Sequence, residues 1–144
     1  MKIEVATEAT PGLLAGLQSL LPQLNPQLPE LTMEKLKAVI ADPGATLLVV
    51  RDGDSLVGTA VVVKYVTPSW RKARIEDVVI DEKARGRGLG KALVERCIEV
   101  AREQGADLVE LQSARRREIA NRLYPSMGFE LRDSNLYRLT FSPK

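Results

Sequence analysis

The sequence contains no histidine and a single cysteine, Cys97. The first absence removes every Ser-His or Cys-His catalytic arrangement and the usual zinc sets. The second makes an intrachain disulfide impossible and leaves no set of thiolates for a metal cluster. Aromatic residues make up only 4% of the chain, too few for the stacking platforms that hold single-stranded nucleic acid. An excess of one charge is missing as well. Lys and Arg number 21 against 19 Asp and Glu, a net +2 that offers no electrostatic footprint for DNA or RNA. No stretch approaches the ~20 apolar residues of a membrane span, and the opening MKIEVATEATPG carries charge without an apolar signal core. These absences predict a cytoplasmic protein without a metal, a membrane or a nucleic-acid partner.

What is present is an ordinary globular composition, 44% hydrophobic and 28% charged over 144 residues. That length predicts one domain, residues 1–144, which hides about 70% of its extended surface on folding. Alternation over residues 2–7 predicts a first strand. Thr10 before Pro11 reads as an N-cap followed by proline at the first helical position, with leucines at 13, 14, 17, 20 and 21 at helical spacing. Residues 22–29 (PQLNPQLP) hold three prolines and predict a loop. Thr32 caps a second expected helix. Residues 46–50 and 56–66, joined through Asp52-Gly53, predict a hairpin. Further strands are expected at 73–80, 107–111, 129–131 and 136–141, and helices at 88–104 and 116–126. The order predicts an α/β fold with a mixed sheet, antiparallel early and parallel around the crossover helix 88–104.

The densest chemical signal is VVIDEKARGRGLGKALV, residues 78–94. Glycines at 86, 88 and 90 stand where a strand becomes a helix. Without Cβ atoms, the backbone N–H groups at a helix start can approach a ligand, and those groups lack intrahelical partners while the helix dipole makes the spot positive. Strand, glycine turn and helix in sequence make an anion cradle, to which Arg85, Arg87 and Lys91 add formal charge. Two familiar phosphate loops do not fit. A P-loop needs GxxxxGK[ST], but only three residues separate Gly86 from Gly90, and Ala92 follows Lys91. A dinucleotide turn needs GxGxxG, and the spacing here is GxGxG.

Residues 85–90 (RGRGLG) resemble the R/Q-x-x-G-x-G/A signature of the GNAT family of N-acetyltransferases. The surrounding IEDVVIDEKARGRGLGKALV is similar to that family's central strand, loop and helix, and NRLYPSMGF at 121–129 is similar to its later helix and GF turn. The resemblance covers roughly residues 46–141. It implies a splayed central sheet flanked by helices, acetyl-CoA as cosubstrate and a small-molecule primary amine as acceptor. A homodimer stays open. The coenzyme's pyrophosphate is then expected on Arg85, Gly86, Arg87, Gly88, Leu89, Gly90 and Lys91, and its pantetheine arm along Val78, Val79 and Ile80, whose backbone N–H groups would serve the thioester oxygen. Asn121 is expected at the coenzyme, and so is Arg117, which stands where many relatives have asparagine.

Acetyl transfer to an amine needs a base, because an alkylamine with a pKa near 10.4 is protonated at neutral pH. Glu76 and Asp77 are the candidates, since carboxylates within an apolar strand are costly unless used or paired. Alternation favours one of the two, Glu76 first; a β-bulge would reverse the choice, and pairing of both with Arg71 or Arg74 is the competing structural reading. Tyr124, the tyrosine of the family's LY pair, is expected to protonate the departing thiolate; the alternative is an aromatic packed beside Leu123 and Phe129. Cys97 falls on the apolar stripe of its helix as a core residue. Trp70 either lines the acceptor site or covers the core. The run Arg115-Arg116-Arg117 reads as a solvated helix start. The IED of the central strand looks like glucosamine-6-phosphate N-acetyltransferases, which places an amino-sugar phosphate among the acceptors, beside polyamines, aminoglycosides and peptides.

Overall fold

Two threonines set where the first helices begin. In the computed structural model, which describes residues 1–142, Thr10 Oγ1 accepts from the Leu13 N–H at 3.1 Å and opens α1 (Pro11–Leu24). Thr32 Oγ1 accepts from Lys35 N–H at 3.1 Å and opens α2 (Met33–Ala41). Each hydroxyl satisfies a donor that the helix itself leaves orphaned. The loop expected at 22–29 starts later, because α1 continues through Pro22 to Leu24. Pro22 lies in the last turn, where its ring forfeits one hydrogen bond and its fixed φ still suits the helix.

The sheet runs in the order β1 (Lys2–Val5), β2 (Ala45–Asp52), β3 (Ser55–Val66), β4 (Arg71–Ile80), β5 (Leu108–Leu111). The first four strands are antiparallel neighbours and β5 joins β4 in parallel. This is the mixed α/β sheet that the sequence predicts. Asp52 pairs with Ser55 across the two-residue turn Gly53-Asp54, in which Gly53 takes φ +62° at the first central position, a place that suits glycine. The parallel pair needs a crossover, and α3 (Leu89–Glu103) supplies it.

Both faces of the sheet are covered, so the strands read as apolar runs rather than alternating ones. Leu47 and Val49 of β2 pack with Leu13, Leu17 and Leu36 of α1 and α2. Their neighbours Leu48 and Val50 point the other way and are fully buried. On that second face a Cβ on Gly58 would meet Ile80 Cδ1 at 2.7 Å and Val50 Cγ2 at 3.1 Å, so glycine there permits close side-chain approach. Buried α3 residues are Leu89, Leu93, Val94, Cys97, Val100 and Ala101. Val94 is buried on this face, whereas Ala92 is exposed.

Residues Met1–Leu111 form one compact unit and Gln112–Lys144 a second. The second carries α4 (Glu118–Ser126), close to the expected helix, and the Tyr124 ring meets Phe129 edge-on with centroids 5.8 Å apart. The strands expected at 129–131 and 136–141 are absent among the described residues. Alternation equips a segment for a ladder but cannot supply the neighbouring edge that a ladder needs.

Truncating Leu93, which is completely buried on α3, is expected to cost about 2–5 kcal/mol through lost transfer energy and a cavity. Ala92→Ser on the same helix should stay within about 0.5 kcal/mol. Denaturant midpoints of the two variants check the assignment of α3's inner face.

Candidate active site

β4 is the strand on which pairing fails. Ile75 faces Val62 and Glu76 faces Val61, but the next pair is Val79 with Thr59. Ala60 therefore opposes two residues, Asp77 and Val78, and this bulge reverses the alternation beyond it. Asp77 adopts φ +52°, the sole positive φ of a non-glycine among the described residues. Aspartate is one of the few side chains that tolerate that region. On the other edge of β4, the parallel ladder with β5 ends at the Ile75–Leu111 pair. From Glu76 to Ile80 no strand lies on that side among the described residues, so the sheet splays open there.

The two candidate bases are separated by this bulge. Glu76 stands opposite Val61, a residue packed against the α1–α2 core, and its Oε2 lies 3.7 Å from Arg74 Nε. Asp77 as a residue is exposed, yet the walls around its carboxyl desolvate it and raise its pKa from the ordinary 3.8. Of the partners considered for these acids, Arg74 is the one found, and it sits with Glu76; Arg71 instead bonds Asp107 through its backbone, donating to Oδ2 at 2.8 Å.

Past Ile80 the chain turns through a short 3-10 segment, Glu82–Ala84, which the sequence reading did not anticipate. Asp81 Oδ1 accepts from Lys83 N–H at 3.1 Å, and Gln23 Oε1 at the end of α1 accepts from Glu82 N–H at 3.0 Å. Gln23 carries no sequence signal for this role; only the packing of α1 brings it there. The glycine turn follows. Gly86 and Gly88 take φ +80° and +76°, conformations that exclude ordinary side chains. Gly88 starts α3 with no side-chain cap, and the first helical bond is Ala92 N–H to the Gly88 carbonyl at 3.1 Å. The N–H groups of Leu89, Gly90 and Lys91 precede it and remain orphan donors.

Gly90 differs from its two companions. Its φ is not positive, and a Cβ would meet nothing nearer than Ile80 Cγ1 at 3.9 Å, an ordinary contact. Neither backbone nor packing requires glycine at this position, which leaves room for a ligand as the physical reason. The cations around the turn are unequally engaged. Arg85 Nε donates to the Ile80 carbonyl at 3.1 Å, and Arg87 reaches Asp52 Oδ2 at 3.3 Å. Lys91 is exposed. The Arg87–Asp52 pair joins the glycine turn to the β2–β3 hairpin 35 residues earlier, beyond what spacing could reveal.

In the second unit Tyr124 is buried. Asn121 Nδ2 donates to the carbonyls of Ala114 and Arg117 at 2.8 and 2.9 Å, with a longer contact to Arg115. Its donors are thus committed to the turn before α4, and its Oδ1 is what remains for a ligand. Arg117 is the N-cap residue of α4 and is exposed, as are Arg115 and Arg116. Cys97 is fully buried and desolvation pushes its thiol up to about 12, the state of an inert core residue. Trp70 is half exposed at the β3–β4 hairpin, and the six strand residues 71–76 stand between it and Asp77, a span of roughly 20 Å. Among the described residues no group of three metal-ligating side chains comes together, and no helix is long and apolar enough to cross a membrane.

The arrangement can hold an anion at the α3 start and place a desolvated carboxyl beside an unpaired strand edge a few residues upstream. Known proteins resemble the chain in sequence and fold. A sequence model described as the acetyltransferase (GNAT) family matches residues 14–129. Glucosamine 6-phosphate N-acetyltransferase 1 of Oryza sativa subsp. japonica is 41% identical over 100 residues, covering 62% of this chain and 60% of that protein. N-acetyltransferase 8B of Homo sapiens is 30% identical over 96 residues, 65% of this chain and 42% of that one. The chain thus spans about 40–60% of the length of these curated relatives. Among solved structures, a putative acetyltransferase from Agrobacterium tumefaciens str. C58 superposes with TM-score 0.84 at 31% identity, covering 97% of this chain and all of that one. A structure titled as a transcriptional regulator from Bacillus halodurans C-125 gives 0.81 at 28%, covering 96% and 100%. With most of its length matched by the family model and the fold shared end to end with a solved acetyltransferase-like chain, this protein belongs to the acetyltransferase (GNAT) family.

Proposed function

We propose that the chain, as one catalytic domain over residues 1–144, is an acetyl-CoA-dependent N-acetyltransferase that moves the acetyl group to a primary amine of a small molecule by direct attack on the thioester. The observation that carries this reading is the coincidence on β4 and its continuation of three features: a desolvated carboxyl on a bulge, an open strand edge, and an uncapped helix start with glycines at 86, 88 and 90. Acetyl-CoA, when bound, supplies the activated acetyl group. The share of chain matched to the Agrobacterium structure supports treating the whole length as one functional domain. A cytoplasmic location belongs to the same reading.

The residues fit such a group. The N–H groups of Leu89, Gly90 and Lys91, with the turn Arg85 to Gly88, offer donors and positive potential to a pyrophosphate. The open edge at Val78, Val79 and Ile80 offers backbone partners to an extended amide-bearing arm and to an oxygen that gains negative charge. Arg117, and Asn121 through its Oδ1, are taken as further coenzyme contacts in the second unit. Asp77 takes the role of base, ahead of Glu76: its pKa is raised toward the range where a carboxylate removes protons effectively, and the bulge frees it from the strand's alternation. Glu76, beside Arg74, positions or polarises. Tyr124 is assigned as acid, since a phenol near 10 can donate to a thiolate near 8.5. The acceptor to test first is an amino-sugar phosphate, on the strength of the rice relative and the IED of β4. A second reading, a regulatory domain that binds acyl-CoA without turning it over, draws on the Bacillus halodurans structure's title. Coenzyme release across a panel of amines separates the two, since release with an amino-sugar phosphate, polyamine or aminoglycoside rules out pure binding.

Asparagine tolerates the left-handed region as aspartate does, so Asp77→Asn should keep its fold and lose turnover by about 10²–10⁴-fold. The stability side follows from the sign of the shift. A carboxyl with a raised folded pKa favours the fold while protonated and loses that contribution as pH rises through the folded value. The wild type should therefore compare best with Asp77→Asn below 3.8 and fall behind it at neutral pH. Denaturant midpoints at acid and neutral pH read this directly; an unchanged difference between the two proteins would refute the desolvated carboxyl.

Gly90→Ala isolates the cradle. Alanine is the better helix former by up to about 1 kcal/mol, so thermal stability should hold or rise. A Cβ among the orphan donors should block one charge-assisted hydrogen bond, weakening coenzyme binding about 10–100-fold by calorimetry. Equal coenzyme affinity would place the anion elsewhere. Tyr124→Phe and Glu76→Gln should lower turnover while coenzyme binding survives, and full activity in both would remove those two assignments.

A further inference from the structure

The turn between β4 and α3 must present its donors without packing to hold it. Arg85, Gly86, Arg87 and Gly88 are all exposed, and a Cβ on either glycine would meet nothing within 4 Å. Glycine loses more backbone freedom on ordering than any other residue, so an unbraced turn costs affinity when a ligand fixes it. What holds this stretch is a short set of hydrogen bonds at its entrance. The Asp81 N–H donates to the Val57 carbonyl of β3 at 2.8 Å, the Lys83 N–H to Asp81 Oδ1 at 3.1 Å and the Ala84 N–H to the Asp81 carbonyl at 2.8 Å. The remaining donor of residues 81–84, the Glu82 N–H, goes to Gln23 Oε1 at 3.0 Å.

Among the described residues, Gln23 is the only side chain from elsewhere in the chain that serves these four donors. It comes from 59 residues away, out of the last turn of α1, where Pro22 fixes φ immediately before it. Its amide nitrogen reaches back to the Ser19 carbonyl at 3.4 Å, which keeps the oxygen turned toward Glu82. The other ties to the turn run through Arg85 and Arg87, to the Ile80 carbonyl and to Asp52. Those are cations that an anion would draw to itself, and the Arg87–Asp52 pair is exposed enough for salt to screen it. The Gln23 bond is neutral and uses no group that the cradle offers to a ligand, so it need not break when the site fills. Both of its ends lie in the first unit, Met1–Leu111.

We propose that Gln23 is a positioning residue for the coenzyme. It braces the entrance to the glycine turn from α1, so that the N–H groups of Leu89, Gly90 and Lys91 stand ready before a pyrophosphate arrives. Gln23 acts through Glu82 and the turn. The effect on affinity rests on the acetyl-CoA reading, whereas the brace itself is a property of the free protein. Its size is that of one neutral hydrogen bond whose donor returns to water when the acceptor is removed, a factor of about three to ten.

Gln23→Met keeps the length of the side chain and removes the acceptor, and Gln23→Glu restores an accepting oxygen. In the free protein, amide exchange at Glu82 read by NMR should quicken about three- to tenfold in Gln23→Met and return toward the wild-type rate in Gln23→Glu. Coenzyme A affinity by calorimetry should fall by a similar factor in Gln23→Met and recover in Gln23→Glu, with KM for acetyl-CoA rising while kcat holds. Gln18→Met cuts a neighbouring tie from α1, the bond to the Leu31 carbonyl at 2.8 Å, and should leave exchange and affinity alone. Unchanged exchange at Glu82 in Gln23→Met, faster exchange with full affinity, or an equal loss in Gln18→Met would each overturn the positioning role. A wild type without affinity for coenzyme A would sink the acetyl-CoA reading and the affinity role with it, while the exchange rates would still judge the brace.

Discussion

Backbone N–H and C=O groups in a sheet demand partners, and the architecture of this protein turns on an interior strand that loses one neighbour partway along. β4 is paired on both sides from Lys72 to Ile75 and on one side beyond it. At the same step it takes an extra residue against Ala60. Those two departures share a location because a bulge re-aims the strand, and a re-aimed strand cannot keep parallel register with β5. The unsatisfied edge is then available to any ligand that resembles a strand. The bulge also costs energy, in a positive φ at Asp77 and the partial desolvation of its carboxyl. Strain of this kind persists only where the surroundings over-determine it. Here two packed faces do so, α1 and α2 on one side and α3 on the other.

The donor end of the candidate site continues from that strand without a break. Five residues after Ile80 the chain reaches the glycine turn by way of the 3-10 segment, which Asp81 holds through its own carboxylate and Gln23 holds from α1. The glycines divide by physical cause. Gly86 and Gly88 satisfy the backbone, whereas Gly90 satisfies nothing in the protein and is best understood through what lies outside it. The basic residues divide similarly. Arg85 and Arg87 are tied to the Ile80 carbonyl and to Asp52, so Lys91 and the orphan N–H groups are the freer contribution to an anion.

Much of the fold was legible because the signals were local. Threonine caps at 10 and 32, the Asp-Gly turn, the apolar stripe of α3 and the strand–glycine–helix sequence each depend on residues within a few positions of one another. The failures were of two kinds. Pro22 was read as a breaker although it sits in a helix's final turn, where its cost is small. Residues 129–131 and 136–141 were read as strands from alternation, yet a strand is a relation between two segments, and no partner stands beside them in the described chain.

The candidate site shows the same division. Residue types by themselves excluded a catalytic histidine and an intrachain disulfide, and the glycine spacing pointed to an anion cradle after β4. The base could not be chosen that way, because Glu76 and Asp77 are adjacent and alternation favours one only in an unbroken strand. Tertiary structure separates their surroundings. A register shift against Ala60 in β3, a strand distant in sequence, sets Asp77 in a desolvated bulge and leaves Glu76 beside Arg74. It likewise decided that Asn121 holds its own turn and that Arg87 answers Asp52. Local sequence determines where backbone groups become available; which side chain meets them depends on register and packing, and those are properties of the folded whole.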